Sequence, residues 1–185
     1  MFILYAVVVG LIVGLLLGGK LSALGEIRFR WWPLVFVGFL LQVVLFQDAV
    51  AARVGDLGPL LYVASTAMVV LAVLRNLDMP GIPLVALGAA CNLAAILANG
   101  GFMPASPDAM AALGKAQPVI YSNSAVVAHP MLEPLTDIFA LPPWLPLNNI
   151  FSIGDAILAL GVVVVIVTTM RRDPRSVVVD QPGDA

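Results

Sequence analysis

Residues 149–170 read NIFSIGDAILALGVVVVIVTTM, and the nature of the chain turns on this stretch. Beyond Asp155 no charge appears until Arg171. About 20 apolar residues wound as a helix match the thickness of a lipid hydrocarbon core. The stretch lacks the alternation of a barrel strand. Lipid also leaves open backbone groups without partners, so a helix is the default. Working outward, four more apolar stretches precede it: residues 2–19, 32–46, 59–74 and 82–98. The second and third of the five stretches are short, which predicts tilt or local thinning of the bilayer at their ends. The first has no basic residue ahead of its apolar run, as a secretory signal would, and is read as a retained span.

The composition agrees. Of 185 residues, 61% are apolar and 11% are charged. A soluble domain is nearer half apolar and a quarter charged, and a chain this short cannot bury so much apolar surface in its own core. No basic stripe suited to nucleic acid is present. The single Cys91 excludes an intrachain disulfide and reads as a small buried hydrophobe. The predicted fold class is all-α: a polytopic membrane helix bundle of about five transmembrane helices. Residues 1–170 form one transmembrane domain, with an ordered outer segment, 99–148, between helices four and five. Residues 171–185 are polar and form a disordered tail.

Basic residues set the orientation. Lys20, Arg28, Arg30, Arg75, Arg171, Arg172 and Arg175 fall on one side of the predicted bundle, and Arg53 and Lys115 on the other. The excess marks the cytoplasmic face. The N-terminus is therefore expected outside and the C-terminus inside a bacterial cytoplasmic (inner) membrane, in contact with membrane lipid. Gly10, Gly14 and Gly18 lie on one face of the first helix. They permit close packing within the chain, and the same seam offers a route to an oligomer. Gln42, Ser65 and Thr66 are isolated polar residues for which internal hydrogen bonds are expected.

The outer segment holds more than half of the 14 prolines and the only histidine. A structureless loop of such length is unusual. Phe102, Met103, Ile120, Tyr121, Ile138, Phe139 and Trp144 make it too apolar for a solvated linker, so it is expected to fold back on the outer membrane surface. Two acids stand out. Asp137 precedes the proline-rich ALPPWLP, and Asp155 lies inside the start of the last helix. An ionisable residue there is expensive and is a functional hypothesis by default. Ser152-Ile-Gly-Asp155 also has capping-box spacing, and the helix dipole favours an acid in the first turn. Asn99-Gly-Gly reads as a helix C-cap and turn. Topology brings Asn99, Asp137 and Asp155 to the same side. His129 and Glu133 beside these acids match no metal-ligand spacing, so neither metal nor organic cofactor is expected. Ser122 or Ser124 with His129 lacks a nucleophile elbow.

Two resemblances rest on quoted motifs. A glycine-rich first helix, LSALGEIRFRWWPL (21–34), ANGGFMPAS (98–106), LTDIFALP (135–142) and NIFSIGDAILALG (149–161) together resemble the bacterial membrane family called domain of unknown function 5317. The C-terminal third is similar to lipoprotein signal peptidase, an intramembrane aspartyl enzyme. Asn99-Gly-Gly-Phe102 echoes that family's Asn-x-Gly-Ala-Ala-Phe in a shortened form. Leu135-Thr-Asp-Ile138 stands where its first catalytic aspartate lies, and Phe151-Ser-Ile-Gly-Asp155 stands where its second does. Its Gly-Asn-x-x-Asp-Arg motif is missing; SNSAVVAHPMLEPL (122–135) occupies that region.

The first functional reading is a non-catalytic binding or assembly module of the membrane. The alternative, implied by the peptidase resemblance, is a membrane-embedded aspartyl hydrolase acting on a membrane peptide or lipoprotein. In it Asp137 and Asp155 form the catalytic dyad, one activating water and the other donating a proton. Asn99, Asn149 and Ser152 would bind substrate. Transport fares worse, because the helices hold one acid and show no inverted repeat.

Overall fold

The computed structural model describes residues 2–113, 124–125, 127 and 129–172. The expectations for Lys115, Ile120, Tyr121, Ser122 and the tail from residue 173 lie outside the described residues. The chain is mostly helical. In order it forms α1 (Phe2–Leu16), α2 (Trp32–Leu45), α3 (Asp48–Val54), α4 (Gly58–Leu74), α5 (Ile82–Ala98), β1 (Met103–Pro104), α6 (Pro107–Ala112), β2 (Ser124–Ala125), β3 (Phe139–Ala140), β4 (Ile150–Phe151) and α7 (Ile153–Met170). Short 3-10 turns cover Leu21–Glu26, Gly55–Leu57 and Glu133–Leu135. Two helical runs are long and apolar enough to cross a membrane, Ala49–Leu74 with 26 residues and Ile153–Met170 with 18. Helices α1, α2 and α5 are equally apolar but shorter.

The last helix begins later than its apolar run suggests. Residues 149–152 are extended, because β4 pairs antiparallel with β3, Phe139 opposite Phe151. Ser152 then takes extended backbone angles as N-cap and turns the chain into α7. The start and end of α5 coincide with the apolar stretch, because Gly81 with φ 90° and Pro83 mark one end and Asn99 caps the other.

α7 is the hub. It packs against α1 on one side and α5 on the other. A Cβ added at Gly10 would meet Ile166, and one at Gly14 would meet Met170, so α1 runs parallel to α7 and these glycines serve packing within the chain. α5 runs antiparallel to α7. A Cβ at Gly88 would lie 2.6 Å from the Leu158 nitrogen, and one at Gly161 would lie 2.6 Å from the Val85 nitrogen. Here the two backbones are in contact, which only glycine permits. α2 and α4 form a second antiparallel pair, with a Gly38 Cβ falling 2.7 Å from Val69. α4 joins the halves through a cluster of Leu45, Tyr62, Ala95, Ile96 and Met103.

Two asparagines fasten loops to helix ends. Asn76, 1% exposed, accepts from the Arg30 N–H at 2.8 Å and donates to the Arg30 carbonyl at 2.8 Å and the Ala72 carbonyl at 2.7 Å. Asn99 repeats this at the opposite end of the bundle. It pairs with both backbone groups of Met131 and donates to the Ala95 carbonyl, each at 2.8 Å. Among the described residues, the segment between α5 and α7 is tied down further. Phe2 stacks on Phe151 with ring centroids 4.2 Å apart, and Phe139 lies 5.4 Å from the same ring. The Tyr5 hydroxyl donates to the Pro146 carbonyl. Ala105, Ala109, Met110 and Ile150 form a small core beneath.

The glycine contacts generate an expected outcome. Gly88→Val should cost ~1–3 kcal/mol, the usual penalty of overpacking, by driving α5 off α7. Gly25→Val, which meets nothing within 4 Å, should be neutral. Unfolding midpoints in detergent would check the pair, and equal midpoints would show that the close approach is dispensable.

Candidate functional site

The first turn of α7 carries a closed ring of hydrogen bonds. Ser152 and Asp155 form the capping box that their spacing suggests: the Asp155 N–H donates to Ser152 Oγ at 3.0 Å, and the Ser152 N–H donates to Asp155 Oδ2 at 3.2 Å. The ring does not stop at the cap. Ser152 Oγ donates to Asn92 Oδ1 at 2.8 Å, and Asn92 Nδ2 donates to Asp155 Oδ1 at 2.7 Å. Asn92 stands one turn beyond Gly88 on α5, so the glycine contact brings its amide within reach. Gly154 completes the fit, since a Cβ there would fall on Asn92 Oδ1 and 2.9 Å from the Gly88 carbonyl. Ser152 is fully buried, and Asn92 and Asp155 are partly so.

Above this ring lies a cavity of about 310 Å³, walled by residues of α1, α2, α4, α5 and α7. Its polar lining comprises Gln42, Tyr62, Thr66, Asn92, Asn149 and Asp155. Gln42 Nε2 donates to Thr66 Oγ1 at 3.3 Å, and the hydroxyls of Thr66 and Ser65 both donate to the Tyr62 carbonyl, at 2.9 and 2.8 Å. The internal bonds expected of these three residues are therefore present. A largely apolar hollow with a few convergent polar groups is the usual form of a small-molecule site.

Asn149 and Asp155 line this cavity, and Ser152 is buried behind it, bonded to Asp155. Asn99 is engaged elsewhere, with the Met131 backbone. Asp137 is 7% exposed and is not among the cavity's lining residues. Its N–H donates to the Pro104 carbonyl and its carbonyl accepts from the Ser106 N–H, both at 2.9 Å. Asp137 thus stands two residues upstream of the β3–β4 pairing that ends at the start of α7. Among the described residues, no three His, Cys, Asp or Glu side chains are grouped to hold a metal ion.

Asn92 is the residue the sequence reading missed. Its signal was available: beside Cys91 it is the polar exception within α5, and an amide in so apolar a helix needs a partner.

The class of protein defined by these features is an apolar helical bundle closed around a polar centre at the start of its last helix. The model described as Family of unknown function (DUF5317) matches residues 26–167, most of the chain, and the chain belongs to that family. No curated protein and no solved structure matches it, so the likeness to lipoprotein signal peptidase rests on the short motifs alone.

Replacing Asn92 by Leu removes one donor to a carboxylate and one acceptor from a buried hydroxyl. The expected loss is ~1–3 kcal/mol, read as a lower unfolding midpoint. Asn92→Asp should be worse than Leu, because it sets a second carboxylate against Asp155. A Leu variant as stable as the parent would remove the ring from any account of the site.

Proposed function

We propose that this chain is an integral membrane protein whose five long helices all span the bilayer, with the N-terminus outside and the C-terminus in the cytoplasm, and that it acts as a binding module through the cavity above Asp155. The cavity and its polar floor carry this reading. A hollow lined by six polar side chains inside an otherwise apolar bundle is costly to maintain for packing alone.

The membrane reading draws on an inverted distribution of polarity. Leu16 is 80% exposed, Leu60 63% and Phe36 61%, whereas Ser65 and Ser152 are at 0%. Water would penalise so continuous an apolar surface, whereas lipid accepts it and forces polar groups to pair internally. Among the described residues, no buried side-chain nitrogen or oxygen lacks a hydrogen-bond partner. The packing directions also fit spans that alternate. α2 opposes α4, α4 opposes α5, α5 opposes α7, and α1 shares the direction of α7, as first and fifth spans must. The short helices reach the membrane surfaces with help from flanking turns and tilt.

In a Cys91→Ser background, a cysteine placed at Lys115 should react with an impermeant maleimide added to intact cells, and one placed at Arg75 should be spared. The reverse labelling pattern would overturn the orientation, and labelling of both in intact cells would overturn the five-span topology.

A further inference from the structure

The cavity above Asp155 has an electrostatic imbalance. Both carboxylate oxygens accept hydrogen bonds, from Asn92 Nδ2 and from the Ser152 N–H. The remaining polar lining groups are neutral, and among the described residues that line the cavity there is no Lys, Arg or His. The helix terminus contributes a partial positive charge of roughly half an elementary unit, which offsets only part of a full negative charge. Asp155 is partly buried, and among the described lining residues no cation is set against it.

We infer that the cavity binds an organic monocation, with a primary ammonium group set against Asp155 and a small apolar body among Phe39, Val70 and Leu158. This rests on the reading of the cavity as the ligand site. Three features select this class. Among the described residues that line the cavity Asp155 is the one charged group, so a monocation matches it. The volume of about 310 Å³ is far beyond the roughly 10–15 Å³ that one water needs on the same measure, so a bare ion would occupy a small part of it. The donor set is one carboxylate with amides and hydroxyls, which suits the three N–H donors of an ammonium group and is too poor in charge for a divalent metal.

The test is equilibrium dialysis of the full chain in lipid nanodiscs, with empty nanodiscs subtracted. Radiolabelled n-butylammonium should bind saturably, be displaced by unlabelled n-hexylammonium and be unaffected by butyrate. Asp155→Asn should weaken its binding at least about tenfold, or ~1.4 kcal/mol. Because that change also touches the cap, Val70→Phe serves as a second variant. It keeps the carboxylate and fills the hollow, and should abolish uptake. If labelled butan-1-ol binds saturably, is blocked by Val70→Phe and is indifferent to Asp155→Asn, while butylammonium binds no better, the cavity is a ligand site and the cation assignment falls. If neither probe binds saturably, the cation assignment and the binding-module reading fall together.

Discussion

The close approach of α5 to α7 is the contact on which the rest depends. Close packing and hydrogen bonds hold these two helices together. Gly81 and Gly88 face Gly161 and Gly154 across the antiparallel pair, one pairing at each of two successive crossings. With no Cβ between them the backbones meet, and dispersion contacts accumulate along both helices. The same geometry decides the chemistry. One turn past Gly88, Asn92 crosses to the first turn of α7 because Gly154 leaves room for its carboxamide. Packing and polar centre are thus one constraint: a side chain at Gly154 would displace the amide as well as the helix.

The ends of the bundle obey a parallel rule. A helix C-terminus presents carbonyls without intrahelical partners, and these must be satisfied by solvent or by the chain itself. Asn76 and Asn99 each bond a carbonyl of the preceding helix while pairing with both backbone groups of a loop residue. In both places the residue after the clasped one is left-handed, Trp31 with φ 60° and Leu132 with φ 53°. A proline then follows two residues on, at Pro33 and Pro134. The left-handed conformation costs such residues ~1–2 kcal/mol, which two hydrogen bonds to the neighbouring residue offset. The exposed Arg30–Asp78 pair at 2.9 Å lies beside the Asn76 clasp but, being solvated, adds little.

Much of this was legible in the sequence, and the failures have physical causes. Apolar length located the long helices, and α5 came out end to end because glycine, proline and asparagine mark its limits. The capping box could be read from Ser152 and Asp155 because it is local in sequence. The start of α7 was misplaced at Asn149 because hydropathy cannot distinguish an apolar strand from an apolar helix over a few residues, and pairing with Phe139 decides it. Asn92 was missed because its partners lie 60 and 63 positions away. Asn99 was read correctly as a cap, but its bond to Met131 depends on how the outer segment folds, which no local pattern encodes.

The cap by itself does not explain the polar centre. Ser152 and Asp155 cap the first turn of α7 between them, and Asn92 adds an acceptor for the buried Ser152 hydroxyl and a donor to Asp155 Oδ1. What its amide does is hold Asp155 Oδ1 at a fixed orientation beside a hollow that α1, α2 and α4 leave open. Gln42 and Thr66 then line the hollow from the facing helices, although neither contributes to the cap. Their bond to each other joins α2 to α4, so the groups that face the hollow also hold its walls together.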